Sequence, residues 1–241
     1  MGAWTFSVDP NGGGSRSQSV SVAGKTYSLN QLDVNIKPLI PGTRARLTLA
    51  NASDTAWFAV DVVAGRSYCM ELAPDAVENV AATPVVTVLR DNGGETVGNS
   101  ATRVCTVASS AETLLVRVNQ SDGGLRRYAL AVRESTIWAN WFFTAGSYSS
   151  FTLLRNTSAD AVTATITWRS EAGVTVASET VALPAGAVYL RDARTAAPGT
   201  IAGSVEVGHT GDPQALVGSQ TTLTAASGLS FDTVFLQRRD R

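Results

Sequence analysis

Thr55-Ala56-Trp57-Phe58-Ala59-Val60-Asp61-Val62-Val63-Ala64-Gly65-Arg66-Ser67-Tyr68-Cys69-Met70-Glu71-Leu72 decides how the rest of the chain is read. Phe58, Val60 and Val62 alternate with Ala59 and Asp61, the period of a strand with one face in a core and the other toward water. Ala64-Gly65 interrupts the run with a residue that tolerates positive φ. Ser67–Leu72 then resumes as a second strand.

The same texture extends outward in both directions. Toward the amino terminus lies Ala45–Leu49; beyond lie Val85–Leu89, Thr113–Val118 and Tyr128–Val132. Turn signals separate them at Asn51-Ala52-Ser53-Asp54, Asp91-Asn92-Gly93-Gly94 and Ser121-Asp122-Gly123-Gly124. A second set comprises Phe151–Leu154, Ala161–Trp168, Val174–Leu183, Val188–Leu190, Gly203–Val207, Ala215–Thr222 and Phe231–Leu236. Helical periodicity is almost absent. The expected fold is all-β: two tandem antiparallel β-sandwiches, of jelly-roll or immunoglobulin-like type, with an amino-terminal β arm. The expected divisions are residues 1–40 for the arm, 41–135 and 148–241 for the sandwiches, and 136–147 for an aromatic connector.

At 241 residues with 44% hydrophobic content, the chain can bury a substantial core. Charged residues make up only 16%, and the net charge of −1 gives no electrostatic reason to expect nucleic acid or an anionic membrane. No apolar run reaches the length of a membrane-spanning helix. No signal-peptide pattern opens the chain, which is no argument for the cytosol. Low charge and a hydroxyl-rich surface suit an exported β-protein, bacterial and extracellular or on the cell surface.

Cys69 and Cys105 are the two cysteines, and both sit in strand-like flanks. Neighbouring strands bring Cα atoms within disulfide reach, so a bridge is expected in an oxidising compartment; two unpaired core thiols are the alternative. No CxxC spacing or nearby histidine suggests a metal.

The opening of the chain differs. Ala3-Trp4-Thr5-Phe6-Ser7-Val8 alternates like a strand, and Trp4, Phe6 and Val8 are the candidate residues of an assembly arm. Ser17–Val22 and Lys25–Leu29 read as a hairpin about Ala23-Gly24. The arm is too small for its own core; it adds a strand either to its own sandwich or to a neighbouring molecule. Ile137-Trp138-Ala139-Asn140-Trp141-Phe142-Phe143 concentrates aromatics. It reads either as a strand or connector packed in the junction, or as a surface formed by Trp138, Trp141 and Tyr148 for sugar or a partner.

Residues of roughly 41–133 resemble the bacterial pre-peptidase C-terminal domain, a small β-sandwich appended to secreted proteases and other exported proteins. The likeness rests on Thr55–Tyr68, on Pro84–Leu89, on Glu112–Val118 and on the closing Tyr128-Ala129-Leu130-Ala131-Val132. The family's acidic strand start before Val85–Leu89 is missing here. Residues of roughly 148–237 look like sandwich modules of secreted bacterial proteins, through Leu154-Arg155-Asn156-Thr157-Ser158 and Leu183-Pro184-Ala185-Gly186. These resemblances imply a secreted accessory or surface role.

Catalytic chemistry is hard to place. His209, the sole histidine, lies in Val207-Gly208-His209-Thr210-Gly211-Asp212-Pro213, which reads as a hairpin turn, and no G-x-S-x-G elbow accompanies it. Gly12-Gly13-Gly14 lacks the lysine and helix of a phosphate loop. Calcium is the one ion worth weighing: Asp91, Asn92 and Glu95 offer hard oxygens on a turn, without the alternating acidic spacing of a dedicated loop. No cofactor is otherwise expected. Asn51, Asn119 and Asn156 begin glycosylation sequons at turns. The expected function is that of a non-catalytic extracellular structural or interaction protein. It would be a cell-surface, adhesion or filament subunit joined to other copies or other surface proteins through its amino-terminal arm. The alternative is a carbohydrate- or protein-binding accessory module of a secreted enzyme.

Overall fold

The computed structural model describes residues 16–31, 35–75, 84–90, 94–121 and 123–237. Among the described residues the fold is all-β apart from one four-residue helix. The first described element is a hairpin of β1 (Arg16–Val22) and β2 (Lys25–Gln31), closed at Ala23-Gly24, where φ is +50° and +78°. Positive φ at both central residues is the turn that matches the right-handed twist of paired strands.

The first sandwich contains β3 (Lys37–Pro38), β4 (Arg44–Leu49), β5 (Thr55–Val62), β6 (Ser67–Pro74), β7 (Pro84–Arg90), β8 (Glu95–Ser100), β9 (Arg103–Val107), β10 (Glu112–Gln120) and β11 (Arg126–Glu134). One sheet runs β3-β5-β10-β7-β8 and the other β4-β11-β6-β9. Strands β4 to β11 thus follow the two-Greek-key order of a jelly roll. The alternation read from the sequence supplies the core. Phe58, Val60, Val62, Leu114, Val116 and Val118 from one sheet meet Leu49, Met70, Leu72, Tyr128, Leu130 and Val132 from the other. Each fully buried side chain of this kind contributes about 1.5–3 kcal/mol.

The second sandwich contains β12 (Ile137–Phe143), β13 (Tyr148–Asn156), β14 (Val162–Ser170), β15 (Thr175–Leu183), β16 (Val188–Asp192), the helix α1 (Ala193–Ala196), β17 (Ala202–His209), β18 (Leu216–Thr224), β19 (Ser230–Val234) and β20 (Leu236–Gln237). Its sheets run β15-β14-β17-β12-β20 and β16-β13-β18-β19. Trp168, Ile166, Phe142, Leu154, Val205 and Val207 fill the core. Beside them runs a buried polar stripe in which Ser150 pairs with Thr222 and the Thr152 hydroxyl donates to Gln220. Asn156 is fully buried, and its Nδ2 donates to the Asp160, Leu183 and Pro184 carbonyls. That amide braces two turns, so the sequon beginning at Asn156 is closed to glycosylation.

The aromatic stretch expected to connect the two modules is itself a strand. β12 pairs with both β17 and β20, inside the second sandwich. Only Ser135 and Thr136 separate it from β11, and both are fully buried. The Ser135 N–H donates to the Ser67 carbonyl, and the Thr136 hydroxyl accepts from the Ser67 N–H. A link this short and this well bonded leaves the modules little freedom to swing.

Candidate functional site

The structure divides the aromatic trio. A register shift in β12 between Ala139 and Phe142 leaves both of those residues in the core and turns Asn140 and Trp141 outward together. This is the usual work of a bulge, an extra residue that re-aims a side chain. Trp141 is 41% exposed and stacks on Phe143, with centroids 5.6 Å apart and planes 12° apart; Tyr148 meets Phe143 edge-on at 5.3 Å. Phe143, which the sequence reading had not put in the site, joins the other two. Arg194 braces the turn between Phe143 and Tyr148, its Nη2 donating to the Thr144, Gly146 and Tyr148 carbonyls. Asp192 caps α1 by accepting from the Arg194 N–H. Trp138 belongs elsewhere: it lies in the junction, with the Arg66 guanidinium 5.7 Å over its ring.

The junction holds most of the buried charge. Glu206, on β17, is 4% exposed. Its Oε1 accepts from Arg66 Nε at 3.2 Å, and its Oε2 accepts from Arg169 Nε at 2.8 Å. Arg66 also donates to Glu134 across 3.3 Å. The turn carrying Arg66 therefore docks the first module onto the sheet of the second. Close approach of backbones makes this fit. A Cβ placed on Gly208 would lie 2.4 Å from the Gly65 carbonyl oxygen and 3.2 Å from Val107. Arg103 of β9 adds an ion pair to Asp212 at 2.6 Å.

His209 ends β17, paired with Ala164, and the turn begins only after it; the expectation of a turn histidine is corrected. Glycine, aspartate and proline do mark that turn, yet the ring itself is fully buried beside the junction. Neither ring nitrogen makes a hydrogen bond of good geometry. Burial pushes its pKa down to about 4, against weaker upward pulls from the backbone at Ser135 and Gly211 and from the Asp212 carboxylate. A depressed histidine pKa means that the unfolded chain binds the proton first, so stability is full above about pH 6.5 and is lost as pH falls toward 4. The loss from pH 7 to 4 is about 2–3 kcal/mol. Denaturant unfolding of the wild type and of His209→Leu across this range checks it. The variant should lack that share of the slope, and equal slopes in both would refute the assignment.

Cys69 and Cys105 face each other in the β6–β9 register and are joined by a disulfide. Cys69 Sγ also lies 3.7 Å from the Gly211 carbonyl oxygen of the second module. Of the calcium candidates, Glu95 is an exposed residue at the start of β8, while Asp91 and Asn92 lie outside the described residues. Among the described residues, no three His, Cys, Asp or Glu side chains converge to hold a metal. Trp4, Phe6 and Val8 also lie outside the described residues. No described helix is long and apolar enough to cross a membrane.

Two further surfaces were not singled out from sequence. A cleft of about 660 Å³ opens beside β4 and β5, where Arg117 sits 5.8 Å over the Trp57 ring and Lys37, Ser53 and Asp54 line the rim. The other is β15. It spans nine residues, pairs only with β14 among the described residues, and ends its sheet.

No family model matches the chain, and no curated protein does. Solved structures match weakly. The periplasmic inhibitor of g-type lysozyme from Aeromonas hydrophila, PliG, aligns at 15% identity and a TM-score of 0.32, over 42% of this chain and 97% of that one. A Bacteroides uniformis β-glucuronidase aligns at 13% identity and a TM-score of 0.21, over 77% of this chain and 26% of its own length. The extracellular region of zebrafish Gpr126/Adgrg6 aligns at 9% identity and a TM-score of 0.26, over 84% of this chain and 32% of that one.

Edge strands present an unpaired row of N–H and C=O groups, and proteins commonly guard them with lysine, proline or inward charge. Thr175–Leu183 contains neither lysine nor proline. Its one charged side chain, Glu179, is already engaged by the Tyr189 hydroxyl and by Arg191 of β16. The edge is therefore chemically competent to accept another strand.

Proposed function

We propose that this chain is a non-catalytic, exported structural or interaction protein of the cell exterior, a surface or filament subunit that joins copies of itself by strand addition. The observation that supports the reading best is the free edge of β15, long and without lysine or proline along it. The donor is the alternating segment Ala3–Val8, with Trp4, Phe6 and Val8 as its apolar side. Main-chain hydrogen bonds would give affinity, and the alternate side chains would set register. The locked junction makes each subunit a stiff unit, as an assembly requires. The disulfide, and the resemblance of the first module to the pre-peptidase C-terminal domain, support export.

Full-length protein is expected to form ordered assemblies under the electron microscope, and a chain lacking residues 1–15 is expected to form none. An excess of a peptide spanning residues 1–10 should block assembly of the full chain. Absence of ordered assemblies in both forms would overturn the reading.

A carbohydrate-holding accessory role is the second reading, and one observation favours it: Trp141 offers an exposed ring backed by Phe143. Such a platform suits the apolar face of a sugar. Binding on a glycan array would separate this role from the first.

A further inference from the structure

The outer face of the β16-β13-β18-β19 sheet is apolar where the outside of a sandwich is normally polar. Register places its side chains in rows. Leu190 stands opposite Leu153, then Ser219 and Val234; Val188 stands opposite Arg155, then Val217. Asp192 stands opposite Phe151, then Thr221 and Asp232. Leu190 is 61% exposed, Val234 67%, Val188 59% and Val217 46%. Four strands about 4.8 Å apart and seven residues of about 3.4 Å make this face roughly 19 by 24 Å, about 450 Å². Leu190, Leu153, Val234, Val188 and Val217 make up the apolar part of this face, and exposed apolar patches of a few hundred Å² mark interaction sites.

The charges say what covers it. Arg155 is the exposed cation of the face, and it makes no hydrogen bond or ion pair among the described residues. Four residues along the strand, beyond the Leu153 row, lies the row carrying Asp192 and Asp232. Of these, Asp232 is held by the Thr221 hydroxyl and Asp192 accepts only from the Arg194 N–H. A two-fold axis lying in the plane of the face, across the strands and through the Leu153 row, sets this sheet on a copy of itself. That operation lays Leu190, Leu153 and Val234 against the same residues of the second copy. It also exchanges the Arg155 row with the Asp192 row. Each Arg155 then reaches across the roughly 10 Å between stacked sheets to the second copy's Phe151 and Asp192. We infer that this face pairs with a second copy of this chain as an isologous, antiparallel sheet-on-sheet dimer, with two reciprocal Arg155–Asp192 pairs. The inference does not rest on strand addition, which uses a different edge.

About 900 Å² of combined face lies at the small end for specific association, so the dimer is a weak one, with Kd on the order of 10–100 μM. That strength matters where copies are concentrated, as on a cell surface. Sedimentation velocity over a concentration series tests it on the full chain. Wild type should shift from monomer to dimer, and Leu190→Asp should stay monomeric. Arg155→Glu alone and Asp192→Lys alone each place like charges opposite, and each should weaken self-association at least about tenfold. An equimolar mixture of the two should recover affinity to within about threefold of wild type, because only the mixed dimer pairs opposite charges twice. Asp192→Lys also removes the cap of α1, so Asp192→Asn, which keeps a capping side chain, should weaken pairing while leaving the melting temperature unchanged. A mixture no tighter than its components, or a wild type monomeric throughout, would overturn the inference. The chain lacking residues 1–15 should dimerise as well as the full chain, so failure of the arm and failure of this face are read separately.

Discussion

Glu206→Ala is expected to destabilise the folded chain by about 3–4 kcal/mol. The carboxylate is nearly inaccessible, and each of its oxygens receives a guanidinium, Arg66 from the first module and Arg169 from the second. Removing it leaves two cations that were positioned against a partner which no longer exists. Because the Arg66 and Arg169 side chains are 30% and 28% exposed, water recovers part of their solvation, which places the cost toward the lower part of the range for breaking a buried pair. Asp75→Ala is the control. Its partner Arg46 is 80% exposed, so that change should cost under about 1 kcal/mol. Equilibrium denaturation of both variants checks the pair. If Glu206→Ala were no worse than Asp75→Ala, the junction would not be held by this charge.

The residues that made the fold legible are the ones that packing fixes. Phe58, Val60 and Val62 announce β5 because only a half-buried strand needs an apolar side chain at every second position. Of the residues on which the resemblance was read, Phe58, Tyr68, Leu114, Val116, Tyr128, Leu130 and Val132 are in the first core. They therefore speak of architecture and carry no ligand chemistry. The β8 strand escaped notice because Glu95–Ser100 lies at a sheet end and has no fully buried side chain.

The sites were far less legible. Arg66 and Glu206 are 140 residues apart, and no local pattern ties a turn arginine to a strand glutamate that distant. Trp138 and Trp141 look equivalent in sequence, yet the bulge between them sends one under Arg66 and the other to solvent. His209 was hidden by its neighbours, whose turn chemistry is real but starts one residue later. Sequence alternation records which side of a strand is buried; it does not record which modules touch.

The double variant Cys69→Ser/Cys105→Ser should lose about 4 kcal/mol by the chain-entropy estimate, since the bridge spans 36 residues in sequence. The bond joins neighbouring strands of one sheet, and β9 is the last strand of that sheet, held by its register with β6 over Ser67–Glu71. Without the bridge, β9 keeps that ladder, the packing of Val104 in the first core and its contacts at the junction. Those contacts include Val107 beneath Gly208 and the Arg103–Asp212 pair, so loosening β9 also loosens one side of the docking surface. Thermal unfolding with and without reductant separates this from a packing defect of the new serines. Reductant should lower the melting temperature of the wild type toward that of the double variant and leave the double variant unmoved. If the double variant unfolded at the wild-type temperature, the bridge would contribute nothing beyond the strand pairing already present.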